Sequence, residues 1–162
     1  MNAPKKTKGE WTATNKILLG LLGERIVARY LRSQGHDVEE SLDMFDSEKD
    51  LLCDGQKVEV KTQVPIVVED SFGVTPAQLP KLKSSHRVYW VSVPLQKNSD
   101  ELAGAVFEMD PSDPTLKAHR WRTHAGREMV CFPRRQTAIR EVYRVTDPVI
   151  LEHLRRLSSS YL

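Results

Sequence analysis

The dipeptide Asp54-Gly55 constrains this chain more than any other feature, because it separates two short runs that read as strands, Lys49 to Cys53 and Gln56 to Val64. A two-residue hairpin turn of type I′ needs positive φ at both central positions, which Asp-Gly tolerates. The turn fixes the register: Cys53 opposes Gln56, Leu52 opposes Lys57, Leu51 opposes Val58 and Asp50 opposes Glu59. Directly opposed residues share a sheet face, and the two-residue period of a strand adds Lys61 and Gln63 to the face of Glu59. The intervening apolar residues Leu51, Leu52, Val58 and Val60 are expected to bury the other face.

Two carboxylates on opposed strands, with Cβ atoms roughly 4.5–5.5 Å apart, repel each other and demand a counter-charge. Lys61 supplies part of it. Hard carboxylate oxygens converging in this way are also how Mg²⁺ or Mn²⁺ is held by enzymes that act on phosphates. A solvated cluster of salt bridges along the strand is the other reading, and both stay open from the residues alone.

Around the hairpin the chain alternates helix and strand signals. A helix is expected from about Thr14 to Gln34, capped by Thr14 or Asn15 and stopped by Gly35. At ~100° per residue, Arg25, Arg29 and Arg32 fall on one stripe, while Ile17, Leu21, Ala28 and Leu31 fall on the far side together with Glu24. A carboxylate on an apolar face is costly unless it is paired. Glu24 therefore has either a structural arginine or a place in a charged site. Strands are expected at Asp37 to Met44, Lys49 to Cys53 and Gln56 to Val64, with a less defined segment from Val67 to Phe72. Thr75-Pro76 opens a short helix to about Leu82. The apolar run Arg87 to Val93 reads as a strand buried on both faces. Ala103 to Met109 and Glu128 to Phe132 are further strands, and Asp147-Pro148 opens a final amphipathic helix through Leu157. The result is an α/β (α+β) plan, a mixed β-sheet flanked by helices in the order αβββαβ, followed by extra strands and a terminal helix.

The Asp50, Glu59-Val60-Lys61 set, in this element order, resembles the signature of the PD-(D/E)XK nuclease superfamily, over about Thr14 to Val93. The residue before Asp50 is Lys49, where the family name has Pro; many members lack that Pro. The resemblance implies a restriction-endonuclease-like or Holliday-junction-resolvase-like core and a catalytic centre of Asp50, Glu59, Lys61 and Glu24. It also implies a catalytic Mg²⁺, with Mn²⁺ as a substitute, held by Asp50, Glu59, Glu24 and the Val60 carbonyl. Gln63 and Gln78, the latter in Thr75-Pro76-Ala77-Gln78, match polar positions that follow the lysine in several members and are possible auxiliaries. The implied activity is a metal-dependent deoxyribonuclease, an endonuclease hydrolysing DNA phosphodiester bonds. The alternative is a non-catalytic nucleic-acid-binding or assembly module that keeps the nuclease fold.

Charge distribution bears on the partner. The 162 residues carry a formal net charge of only +2, which excludes little. Its layout is more telling: eight acidic residues lie between His36 and Asp54, and eight Lys or Arg lie between Lys117 and Arg144. Arg120, Trp121 and Arg122 interleave cations with an aromatic, and Arg134-Arg135 adds a second basic pair, a pattern that suits nucleic-acid backbone contacts and base stacking or else a solvated basic face. Double-stranded or branched DNA is the expected partner, and a homodimer would supply the two active sites that cutting both strands needs.

Length allows one domain, 13–162, after a polar, basic arm over 1–12 that is expected to be disordered. The two cysteines, Cys53 and Cys131, show no CxxC spacing, and Cys53 reads as a small packed residue beside the turn. His86, His119, His124 and His153 show no ligand spacing such as HExxH. A reducing, cytoplasmic location and no membrane span are expected.

Overall fold

The structure is a computed structural model that describes residues 8–40, 51–64, 70–93 and 102–158, with side chains from residue 14 onward. Helix α1 (Lys8–Ser33) is followed by β1 (Val38–Glu40), β2 (Leu51–Cys53), β3 (Gln56–Gln63) and β4 (Ser71–Val74). A 3-10 turn (Pro76–Gln78) leads into α2 (Leu79–Lys83) and β5 (Arg87–Ser92). Then come β6 (Ala105–Met109), β7 (His119–Arg122), β8 (Glu128–Pro133), β9 (Ile139–Arg144) and α3 (Pro148–Ser158).

The strands form two sheets. Six make a mixed sheet in the order β1-β2-β3-β5-β6-β9, in which β3 and β5 run parallel and the other neighbours antiparallel. Three make a smaller antiparallel sheet in the order β4-β8-β7. Three of the four expected hairpin pairs are observed, Leu51 with Val58, Leu52 with Lys57 and Cys53 with Gln56; the fourth, Asp50 with Glu59, involves a residue outside the described ones. Its turn has φ of 50° at Asp54 and 79° at Gly55, the left-handed geometry that a type I′ turn requires. The Asp54 carboxylate also accepts from the Asp37 amide at 2.9 Å and pairs with His36 Nδ1 at 2.7 Å. Those two contacts, the amide first, hold its carboxyl below the usual carboxylate range and tie the α1–β1 corner to the turn.

Strand alternation gives the mixed sheet two buried faces. Val58, Val60, Tyr89, Val91 and Val106 pack with Leu19, Ile26, Val27, Ala28 and Leu31 of α1 and Leu154 of α3. On the opposite face Val88, Trp90, Ala105, Phe107 and Met109 pack with Phe72, Val74, Val130 and Phe132 of the small sheet and Leu82 of α2. The centre of this second core is aromatic, with Phe72 stacked on Trp90 at 5.1 Å between ring centroids and Phe107 and Phe132 tilted against the pair. Each such ring pair is worth about 0.5–1.5 kcal/mol beyond the area it buries.

Three differences from expectation have physical reasons. Helix α1 begins at Lys8, six residues before Thr14, so the expected disordered arm over 1–12 overlaps its first turns. No proline lies between Lys8 and Ser33, and once a helix is nucleated each further residue adds a bond at little cost. Ile17, placed on the packed side by the wheel, is 38% exposed, because the core contacts of α1 start at Leu19. The third concerns order: β4 comes between β3 and α2, and the small sheet is built by pairing it with β8, which follows it by more than fifty residues. Local sequence carries no signal for such a pairing. Strands β7 and β9 were equally unsignalled, since their charged residues (Arg120, Arg122, Arg140, Glu141, Arg144) hide the two-residue period.

Gly23 sets the distance between α1 and the mixed sheet. A Cβ there would lie 1.7 Å from Thr62 Oγ1 and 2.9 Å from Thr62 Cβ, so the helix backbone sits directly on a β3 side chain. Gly23→Ala is expected to destabilise the protein by about 1–3 kcal/mol through overpacking. Part of that loss should return in the Gly23→Ala, Thr62→Ala double variant, read as urea midpoints in a double-mutant cycle; strictly additive losses would mean that the two residues do not compete for one space.

Candidate functional site

The site is built on β3, the strand that touches both cores. In the parallel register with β5, Glu59 pairs with Val88, Lys61 with Trp90 and Gln63 with Ser92. All six therefore belong to the face that looks toward the small sheet and α2, as the strand period predicted for Glu59, Lys61 and Gln63.

Glu59 is 1% exposed. One of its carboxylate oxygens, Oε1, lies 3.1 Å from Lys61 Nζ and the other, Oε2, 3.3 Å from Lys81 Nζ of α2. Desolvating a lone carboxylate costs several kcal/mol. Two ammonium groups, one at each oxygen, offset that cost, and both lysines keep a quarter or so of their side-chain surface in solvent. The arrangement is a buried anion with a charged, water-facing rim.

Gln63, the next residue on this face, spends both ends of its amide on β4. Its Nε2 donates to the Gly73 carbonyl at 3.0 Å and its Oε1 accepts from the Gly73 amide at 2.8 Å. A side chain thus acts as a rung between the mixed sheet and the small one. Gln78 is exposed at the start of α2, where its Oε1 accepts from the Thr75 amide at 3.0 Å and closes that turn. Both glutamines have a local structural partner.

The other expected residues fall in different places. Val60 is buried in the first core. Glu24 is half-buried on α1, beside Gly23, and comes from the layer on the other side of the mixed sheet. Asp50 lies outside the described residues. Lys81 was missed by sequence reasoning. The signal that could have found it is its position on the helix that must cross over β3 to reach β5, since a parallel pair needs such a crossover.

The basic segment is split by its own geometry. Arg120 and Arg122 share one face of β7 and Trp121 takes the other, so the cations and the aromatic do not form one surface. Arg120 is exposed and paired with Glu128. Arg134 makes a bidentate pair with Asp70, at 2.9 and 3.0 Å, and its guanidinium lies 5.9 Å above the Phe107 ring centroid. This arginine anchors a turn in which Asp70 has φ of 44°. Arg135 also reaches Asp70, at 3.1 Å, but leaves 78% of its side chain in solvent. No helix among the described residues is long and apolar enough to cross a membrane.

Glu59→Gln is expected to cost about 3–5 kcal/mol, toward the lower end because Lys61 and Lys81 reach water. Lys61→Met or Lys81→Met alone should cost less, since the remaining ammonium still faces the carboxylate. Urea midpoints of the three variants check this, and equal losses from all three would show that the lysines do not share the charge. No protein-family model matches the chain, and neither curated proteins nor solved structures give a match to it.

Proposed function

We propose that this chain is a metal-dependent nuclease that hydrolyses DNA phosphodiester bonds as an endonuclease, acting on double-stranded or branched DNA in the cytoplasm. The observation that carries the reading is the pairing of the buried Glu59 carboxylate with Lys61, two residues along the same strand face, at 3.1 Å. A carboxylate and a lysine placed rigidly on one strand, with a solvent-facing rim, is an arrangement that phosphate chemistry can use.

The donor set suits a hard cation. The donors this reading calls on, the carboxylates of Glu59, Asp50 and Glu24 and the Val60 carbonyl, offer only oxygen, the preference of Mg²⁺ and of the Mn²⁺ that substitutes for it. Of them Glu59 stands at the described site, while Glu24 comes from the α1 layer across the sheet. Such an ion, when bound, supplies Lewis-acid polarisation of the phosphoryl oxygen and acidifies water. Lys61 orients the attacking water and stabilises the negative charge that develops on the phosphoryl oxygens. With a cation bound at Glu59, Lys81, now 3.3 Å from that carboxylate, would be available to a substrate phosphate. Exposed Arg120, Arg122 and Arg135 add phosphate contacts away from the centre. In this reading α1, β1, β2, β3, α2 and β5 form a restriction-endonuclease-like core with β4 inserted, and a homodimer brings two centres to the two strands.

A second reading rests on the same cage. Glu59 is already neutralised by two ammonium groups, as it would be in a module that binds nucleic acid without turnover.

Supercoiled plasmid, linear duplex and four-way junction DNA, incubated with Mg²⁺, Mn²⁺ or EDTA, separate the two. Wild type should cut with metal and not with EDTA, Glu59→Ala should be inactive, and Lys61→Ala should lose roughly 10²–10³-fold in rate while still binding metal. Cutting that survives Lys61→Ala or EDTA would refute the mechanism. Salt-dependent DNA binding with no cutting under any metal would select the binding module.

A further inference from the structure

A second cluster of chemically capable side chains lies on the opposite face of the mixed sheet from Glu59. His36, from the loop after α1, meets Cys53 and Asp54 at the β2–β3 turn. One ligand atom of each, a ring nitrogen, the thiol sulfur and a carboxylate oxygen, lies within 4.8 Å of the other two. The three border a cavity of about 260 Å³ whose wall also includes His86, Tyr89 and Glu108. Its apolar lining, Leu31 and Val58, belongs to the core beneath α1.

We propose that His36, Cys53 and Asp54 form a zinc-binding site, independent of the Glu59 centre. The donor chemistry selects the ion: a thiolate and an imidazole with one carboxylate suit Zn²⁺ and its analogue Co²⁺, and are poor ligands for Mg²⁺. Bonds of about 2.0–2.3 Å to a tetrahedral ion set its ligand atoms roughly 3.3–3.8 Å apart. In the structure His36 Nδ1 and Asp54 Oδ2 are 2.7 Å apart and one ligand atom of each residue lies within 4.8 Å of the other two, so side-chain shifts of about an ångström bring the set to that range. The ion takes the place of the proton that the ring and the carboxylate now share, and the thiol gives up its own proton to solvent.

The backbone holds the ligands in place before any ion arrives. The Asp54 amide donates to the Asp37 carbonyl at 2.7 Å, and the Asp37 amide donates to Asp54 Oδ1 at 2.9 Å. The His36 amide donates to the Leu31 carbonyl at 3.1 Å, which fixes the loop against the end of α1. The Asp54-Gly55 turn then presents Cys53 and Asp54 as neighbours. Cys53 is half-exposed, so the sulfur is reachable, whereas Cys131 is fully buried and does not compete. Three protein ligands leave a tetrahedral ion one open position, and the cavity with His86 and Glu108 on its wall provides space for a water or a small anion there. The spacing of seventeen residues between His36 and Cys53 matches no sequence motif, and only the closure of β1 on the hairpin creates the set.

Titration of the full-length protein with Co²⁺ tests this directly. An intense thiolate-to-cobalt charge-transfer band in the near ultraviolet should saturate at one ion per chain, and excess Zn²⁺ should bleach it. Cys53→Ser should abolish the band and lower Zn²⁺ affinity by more than the roughly 10–100-fold that loss of a supporting partner costs. His36→Gln, which disturbs no buried side chain, should weaken Zn²⁺ binding similarly, with circular dichroism reporting that both variants fold. Cleavage of plasmid DNA with Mg²⁺ should be the same in these variants as in wild type, so this site and the nuclease reading fail separately. A cobalt complex without a thiolate band, or a band that survives Cys53→Ser, would overturn the assignment, as would Zn²⁺ affinity unchanged in His36→Gln.

Discussion

A carboxylate in the middle of a strand, cut off from water, is the constraint around which the rest of this structure is arranged. Glu59 is 1% exposed, and an unpaired charge there would cost a large share of the 5–15 kcal/mol by which a typical domain is stable. Its two oxygens therefore require cations from two directions, one from β3 itself and one from the segment that crosses over to β5. That requirement places α2 over this face of the sheet, with Lys81 pointing inward, and it makes the crossover part of the site.

The same strand solves a second problem. β3 has one face against α1, close enough that Gly23 rests on Thr62, and the other against α2 and β4. Val58 and Val60 serve the first face and Glu59, Lys61 and Gln63 the second. Polar side chains on a buried face usually weaken packing, but each of these has its partner. Gln63 supplies two hydrogen bonds that bind the small sheet to the large one, and the aromatic stack of Phe72 on Trp90 closes the space beside them.

What could be read in the sequence follows from the range of the interactions involved. The hairpin around Asp54-Gly55 is local, so its register and the shared face of Glu59, Lys61 and Gln63 were legible in advance. The helices α1 and α3 and the buried strand β5 were legible from periodicity, and the mixed sheet with helices against it followed from their order. The small sheet was not, because the pairing of β4 with β8 joins segments far apart in the chain. Lys81 was not, because a lysine on a short helix looks like any solvated lysine until the crossover is folded. Arg134 shows the converse: a basic pair in sequence suggested a phosphate clamp, and in the fold that guanidinium is spent on Asp70.

The two sheets end in strands whose outer edges carry charge. β7, at the edge of the small sheet, has Arg120 and Arg122, and β9, at the edge of the large one, has Arg140, Glu141 and Arg144. An open edge presents unpaired amides and carbonyls to any passing strand, and closely set charges make a second copy an unfavourable neighbour there. These side chains thus keep the sheets from growing by strand addition, whatever ligand they meet. Neutralising them all would show first as self-association.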